Sequence, residues 1–206
     1  ILRIIIEKKL DLNLMELLDL TIKSVKQKVA DVSDDLSSKI YDFMMERLRT
    51  YYHDQGVSLD MFDAVLVRRP SSPLDFDRRI FAISEFQKLP EAQSLAAANK
   101  RIRNILKKVD GAVPDSVNDE ILVESAEKDL AHAVNALSET VLPLLDKGDY
   151  NKAMTQLAGL RAPVDSFFDS VMVMDDDIQL RNNRLALLNQ MNILFLRVAD
   201  LSRLQS

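Results

Sequence analysis

The scarcity of turn-forming residues constrains this chain most. Only 4 Gly and 6 Pro occur in 206 residues, and 29% of the residues are charged. An all-β fold needs frequent turns, whereas sequences rich in Leu, Ala, Glu, Lys and Arg favour helices. We therefore predict an all-α fold, a helical bundle preceded by a smaller helical segment. The 47% hydrophobic content is enough for one substantial core or two small ones.

Apolar residues recur at helical spacing in the first half, behind residues that can cap a helix. The predicted caps are Asn13 for a helix over 14–29, Ser33 for a helix that Gly56 ends, and Ser58 for a short third helix. Pro70 and Pro73 then predict a loop, because each proline restricts the residue before it. Helix is expected to resume near Asp75.

The second half shows the same periodicity. Pro90 fits the first turn of a helix that continues to about Val109, and a linker is expected over residues 110–119. A long helix should end at Gly148. The acidic run Asp175–Asp177 suits the positive end of a final helix.

Charge is unevenly distributed along the chain. The formal net charge of −5 argues against a generic nucleic-acid binder. Residues 68–108, however, contain ten basic and four acidic side chains, so this segment carries +6 and the remainder carries −11. A polyanion would therefore be attracted to this segment first.

The basic stretch from Lys100 to Lys108 lies on a predicted helix. Lys100, Arg103 and Lys107 are spaced i, i+3 and i+7, so they share one face, with Asn104 beside them. Such a ridge can neutralise phosphates, and Asn104 or an arginine plane can contact a splayed base. The alternative is a solvated helix face with no ligand.

Other arginines leave two interpretations open. Arg181 and Arg184 share a face at i and i+3, which suits contact with phosphates or bases, but they can instead form local ion pairs with Asp175–Asp177. The pairs Arg68–Arg69 and Arg78–Arg79 flank the proline loop. They can contact RNA or the rest of the protein, and the second interpretation is favoured.

Motifs of catalysis and metal binding are missing from the sequence. It has no Cys, which excludes disulfides and thiolate metal sites and fits a reducing cytoplasm, and no apolar run is long enough to cross a membrane. His53 and His132 lack metal-ligand spacing. The methionines, including Met172 and Met174, are expected to fill the core.

Several short strings of the sequence carry a family resemblance. They are Tyr41–Phe43, Glu46–Leu48, Asp75–Arg79, Ala96–Lys108, Pro163–Asp169, Val171–Met174 and Leu180–Leu188. Together, and in this order, they resemble the beta subunit of the two-subunit bacterial glycyl-tRNA synthetase. The last of them resembles the DALR-type anticodon-binding domain shared with arginyl-tRNA synthetases.

The resemblance implies a ligase that attaches glycine to its tRNA with ATP and Mg²⁺. The alpha subunit would hold the active site of a heterotetramer, and the beta subunit would recognise tRNA. This chain would be non-catalytic and would have no cofactor of its own. Residues 1–95 would form the end of the beta-subunit body, and residues 96–206 would form the anticodon-binding bundle. The tRNA-binding candidates are Lys100, Arg103, Asn104, Lys107, Arg181 and Arg184.

One departure from the family pattern is visible. Ile178 and Gln179 precede Leu180 and Arg181, where the family has an acidic residue and Ala, so no role is carried over to those two positions. A second hypothesis is a helical protein-interaction module that docks on the alpha subunit or another acidic partner. Because the chain opens at Ile1 without an initiator Met, we expect it to be an excised part of a longer protein.

Overall fold

The computed structural model describes residues 1–29, 31–109 and 111–204. Within these ranges all regular structure is helical, which confirms the all-α prediction. The α-helices are α1 (Leu2–Glu7), α2 (Leu14–Lys26), α3 (Leu36–Glu46), α4 (Leu48–His53), α5 (Leu59–Leu66), α6 (Pro73–Phe86), α7 (Ala92–Leu106), α8 (Ser125–Asp146), α9 (Tyr150–Leu157), α10 (Arg161–Ser170) and α11 (Ile178–Leu196). Short 3₁₀ turns occur at Asp119–Ile121, Ala158–Leu160 and Leu201–Arg203.

Two of the three predicted caps are confirmed. The Asn13 side chain accepts a hydrogen bond from the backbone N–H of Glu16 at 3.2 Å, and Ser58 accepts one from Met61 at 3.3 Å. The Ser33 prediction is wrong, because α3 begins three residues later, at Leu36, and the Ser33 hydroxyl donates to the carboxylate of Asp35. Its hydrogen bond is therefore made within the turn before the helix.

Several helix boundaries differ from the predicted ones. The second predicted helix is divided into α3 and α4 at Arg47, although Gly56, at φ +84°, ends this region as expected. α6 begins at Pro73 because Ser72 caps it. α7 ends at Leu106 rather than near Val109. The first position of the predicted linker, residue 110, lies outside the described residues.

A single cluster of buried apolar side chains extends through the helices. At its amino-terminal end three aromatic rings pack together, with Phe62 and Phe76 at a centroid distance of 5.1 Å and Tyr52 beside both. α6 packs extensively against α9, which joins early and late parts of the chain. None of the described helices combines the length and apolarity needed to cross a bilayer.

The exposure of two methionines contradicts the prediction that they fill the core. Met172 is 72% exposed and Met174 is 50% exposed, whereas the alternating Val171 and Val173 are buried. The segment before α11 thus buries its valines and presents its methionines to solvent. Methionines that do fill the core are Met45, Met154 and Met191.

The proposed division at residues 95 and 96 falls inside α7. Polar contacts also link the parts on either side: the Arg79 guanidinium donates to the carbonyl oxygens of Arg197 and Val198, at 2.5 and 2.9 Å. The backbone N–H of Asp200 donates to Ala64 O at 2.9 Å. Contacts of α5 and α6 with the end of α11 and the segment after it therefore join the two parts of the chain.

Candidate nucleic-acid interface

α7 is built from an alanine-rich first half and a basic second half. Leu95, Ala98 and Ile102 are buried and hold one side of the helix against the core. The cations are concentrated towards the carboxyl end, where the negative end of the helix dipole favours positive charge. A basic surface is thus fixed on a helix that packing keeps in place.

Arg103 does not lie free on the predicted ridge. Its Nη1 donates to Asp200 Oδ2 at 2.6 Å and to Ser202 Oγ at 2.7 Å, and only 34% of its side chain is exposed. Lys100 and Lys107, by contrast, are exposed. The expected face of Lys100, Arg103 and Lys107 is therefore interrupted in its middle by a structural ion pair.

The exposed basic surface of α7 differs from the predicted face of Lys100, Arg103 and Lys107. A depression of about 350 Å³ is lined by Ala97, Lys100, Arg101, Asn104, Ile105 and Lys108, and we call it the α7 groove. Arg101 and Asn104 share a face of α7 at i and i+3, and Lys108, in the turn that follows the helix, completes the ridge that borders this groove. Arg101 and Lys108 are not among the tRNA-binding candidates predicted from the sequence, but they line the groove together with Lys100 and Asn104.

Lys107 faces a second depression on another side of α7. This α7–α11 cleft has a volume of about 370 Å³, and its polar lining includes Arg68, Arg103, Asn192 and Asp200. Arg68 and Lys107 are exposed there. Basic residues therefore line depressions on two sides of the same helix.

Ion pairing separates the basic residues of segment 68–108 into two groups. Among the residues that the structure describes, six of these ten form no ion pair: Arg68, Arg78, Lys100, Arg101, Lys107 and Lys108. The other four pair with carboxylates, namely Arg69 with Asp42, Arg79 with Asp75, Lys88 with Glu85 and Arg103 with Asp200, at 2.6 to 2.7 Å. Cations without a protein partner can neutralise phosphates without first breaking an ion pair.

Arg184 lies in a buried network at the other end of α11. Its side chain is 5% exposed and pairs with Glu127 of α8, which is 1% exposed. Its Nη1 also donates to Asp175 Oδ2 at 2.7 Å and to Met172 O at 2.9 Å. Burial opposes the charge, but Glu127 and Asp175 raise the pKa of the Arg184 guanidinium above its usual value.

Arg181 is half-buried and also contacts the acidic turn, with its Nη1 donating to Asp175 O at 3.1 Å. A backbone hydrogen bond from Asp177 and the contact with Arg184 lower the pKa of the Asp175 carboxyl. Of the two open interpretations, the structure therefore shows local pairing for Arg184 and a local backbone contact for Arg181. Contact of either residue with RNA stays a prediction.

The Arg184 network and the α7–α11 cleft lie at different positions along α11. Arg184 lies eight residues before Asn192, which lines the α7–α11 cleft, so about 12 Å of helix lies between them.

Within the described ranges, no group of three or more His, Asp or Glu side chains has the geometry to hold a metal ion. The chemistry of the α7 surface is therefore that of exposed cations and one amide.

Comparison with known families identifies this helical unit. Residues 95–201 match the family described as the DALR anticodon binding domain, a match that covers more than half of the chain. This chain belongs to the DALR anticodon-binding family. The matched region contains most of α7, the α7 groove and the Arg184 network, whereas Arg68 of the α7–α11 cleft lies outside it. Residues 1–67 match a second family, the glycyl-tRNA synthetase beta subunit.

Individual relatives extend the similarity over the whole chain. The glycine–tRNA ligase beta subunit of Aeromonas hydrophila is 50% identical over 204 residues, which cover 99% of this chain and 29% of the relative. The corresponding subunit of Shewanella amazonensis is 50% identical over 206 residues, 100% of this chain and 30% of the relative. That of Haemophilus influenzae is 50% identical, covering 99% and 29%. The chain thus spans about 30% of the length of these relatives.

Proposed function

We propose that the DALR domain of this chain binds the anticodon region of a glycine-specific tRNA through the α7 groove. The observation that carries the proposal is the set of exposed cations around this groove, Lys100, Arg101 and Lys108, which have no ion-pair partner among the described residues. Their helix lies within the part of the chain that matches an anticodon-binding family. A groove with such a lining can attract phosphates and admit the bases of a single-stranded loop.

In the complete ligase, this binding would support ATP-dependent attachment of glycine to tRNA. ATP and Mg²⁺ would act at an active site on the alpha subunit, in the cytoplasm, and this chain would contribute tRNA recognition. The similarity to glycine–tRNA ligase beta subunits over 99 to 100% of the chain supports this placement. Of the initial tRNA-binding candidates, Lys100 and Asn104 border the groove, and Lys107 contributes from the α7–α11 cleft.

The test is a salt titration of binding to the anticodon stem-loop of glycine tRNA. We expect affinity to fall as salt rises. The double variant Lys100→Ala with Lys108→Ala should reduce the slope of log affinity against log salt concentration by about 0.7 for each phosphate contact removed from single-stranded RNA. Lys39→Ala with Lys152→Ala makes the same change in charge at exposed lysines of α3 and α9. An equal loss for both double variants would show that only net charge matters and would contradict the proposal.

Exposed apolar side chains in the amino-terminal region favour a second role, docking on the rest of the ligase. Ile4, Leu20 and Phe43 are 59 to 67% exposed, and large apolar side chains exposed together in one patch mark interaction surfaces. They fall in the part that matches the glycyl-tRNA synthetase beta subunit family. This role predicts that the chain copurifies with the alpha subunit in the absence of tRNA, and that the double variant Leu20→Ser with Phe43→Ser does not. Copurification of the double variant with the alpha subunit would count against it.

A further inference from the structure

The α7 groove is bordered by an arginine held over an aromatic ring. Arg101 Cζ lies 4.1 Å from the ring centroid of Phe168, a residue of α10. Phe168 is half-buried and packs edge-on against the fully buried Phe167, with their centroids 5.7 Å apart. α10 in turn packs on α7 and α8. The ring is therefore anchored, and it restrains a guanidinium that would otherwise move freely in solvent.

The contacts of Arg101 differ from those of most arginines that lie over aromatic rings. Arg49, Arg69 and Arg79 also lie within 4.4 to 4.8 Å of a ring centroid, but each is ion-paired with a carboxylate. Arg101 has no hydrogen bond or ion pair among the described residues, although Asp169 is adjacent to Phe168 in sequence. Its N–H groups are thus available to a ligand.

Arg47 is the informative comparison. Its Cζ lies 4.6 Å from the ring centroid of Phe43, and it also lacks an ion pair within the described part of the chain. It is not part of the α7 groove, however, whereas Arg101 lies beside Lys100, Asn104 and Lys108 in that groove. Within the described ranges, two similar arginine–aromatic pairs therefore lack an ion pair, and the one at Arg101 lies beside further cations.

We propose that the Arg101–Phe168 pair is a stacking platform for one unpaired base of the bound RNA loop. This inference rests on the proposed function and adds a specific nucleotide contact to it. A guanidinium supported by an aromatic ring presents a flat cation on which any base can stack. Lys100 and Lys108 contact the flanking phosphates, and the Asn104 amide lies on the same helix face, one turn from Arg101, where it can bond a base edge.

The experiment uses the full chain and the anticodon stem-loop of glycine tRNA with one loop base removed at a time. If a base stacks on Arg101, one abasic position lowers affinity by roughly tenfold, because base stacking on a protein platform is worth that much. Arg101→Lys keeps the charge but loses the flat guanidinium, so its affinity for the intact loop falls by a similar factor. The same abasic position then causes little further loss.

Arg47→Lys is the matched control, and it should bind every RNA as wild type does. Phe168→Leu keeps an apolar side chain against the core but removes the ring; it should reduce the abasic penalty while unfolding near the wild-type temperature. The platform is disproved if no abasic position weakens wild-type binding, or if Arg101→Lys retains the full penalty.

The two proposals fail differently. If Lys100→Ala with Lys108→Ala reduces the salt slope while the abasic scan is flat, the groove binds RNA but the platform does not exist. If the wild-type chain binds none of the stem-loops, the proposed function fails and the platform fails with it.

Discussion

Arg103 Nη1 lies 2.6 Å from Asp200 Oδ2, and this ion pair joins α7 to the segment that follows α11. The Asp200 side chain is 9% exposed, and its backbone N–H donates to Ala64 O in α5. Three separate parts of the chain therefore meet at Asp200. The pair withdraws Arg103 from solvent on a helix whose orientation is held by the buried Leu95, Ala98 and Ile102.

We expect Arg103→Met to lower the free energy of unfolding by about 2 kcal/mol, because it leaves a largely buried carboxylate without its closest cation. The part-exposed Arg103 side chain and the remaining contacts of Asp200 with Arg203 and Ser202 keep the cost below that of a fully buried pair. Urea denaturation measures the change.

Lys107→Met is the control for this prediction. Lys107 is exposed on the same helix, so its substitution should alter stability by less than about 0.5 kcal/mol. RNA affinity of the folded Arg103→Met variant should remain close to that of the wild type. A variant as stable as the wild type but unable to bind RNA would mean that Arg103 contacts the ligand directly.

The pair of Arg184 and Glu127 gives a stronger stability prediction, since both side chains are at most 5% exposed. Arg184→Met leaves Glu127 with backbone donors from Val123 and Glu124 only, and should cost about 3 kcal/mol. Adding Glu127→Gln removes the orphaned charge, so the double variant should be less destabilised than the sum of the two single variants. Additive losses in urea denaturation would show that the two residues do not interact.

The prediction of helices from sequence succeeded where one local pattern was decisive. Asn13 and Ser58 cap their helices because each side chain is close to an N–H of the first turn. The Ser33 cap failed because α3 begins only at Leu36, so the Ser33 hydroxyl donates to Asp35 instead of accepting from an N–H of the first turn. Hydrogen bonds of side chains within a few residues of the turn therefore decide where a helix starts. Where one turn contains several polar side chains, the sequence does not show which of them caps the helix.

The candidate site shows the limit of helical spacing. The spacing i, i+3 and i+7 fits Lys100, Arg103 and Lys107, but it fits Arg101, Asn104 and Lys108 as well. Asp200, which lies almost a hundred residues further along the chain, pairs with Arg103 and removes it from the first of these faces. The basic segment could be found from sequence, whereas its orientation required the tertiary contact.

The methionines before α11 provide a direct test of a corrected prediction. Met172→Ala should change the free energy of unfolding by less than about 0.5 kcal/mol, because the side chain is 72% exposed. Met191→Ala, at a fully buried position, should cost about 2 to 5 kcal/mol. Thermal and urea denaturation compare the two. Similar losses would show that Met172 is covered in solution.

The hydroxyl of Tyr150 connects α9 to α6. It donates to Asp75 Oδ1 at 2.6 Å and accepts a hydrogen bond from Arg79 Nη2 at 2.8 Å. Burial, together with the hydrogen bond to Asp75, raises the pKa of Tyr150 to about 12. Its phenol should therefore stay neutral in the folded chain at pH values where an unfolded tyrosine, with a pKa of about 10, has ionised.

We expect Tyr150→Phe to lower stability by about 1 to 2 kcal/mol at neutral pH, since it removes both hydrogen bonds. Between pH 10 and pH 12 the folded state retains a proton that the unfolded state has lost, so the contribution of Tyr150 falls as pH rises through this range. The stability difference between wild type and variant should thus be constant from pH 7 to 9 and shrink above pH 10. Denaturation series with phenolate absorbance measure both quantities. A constant difference up to pH 12 would show that the Tyr150 phenol ionises as readily in the folded chain as in the unfolded one.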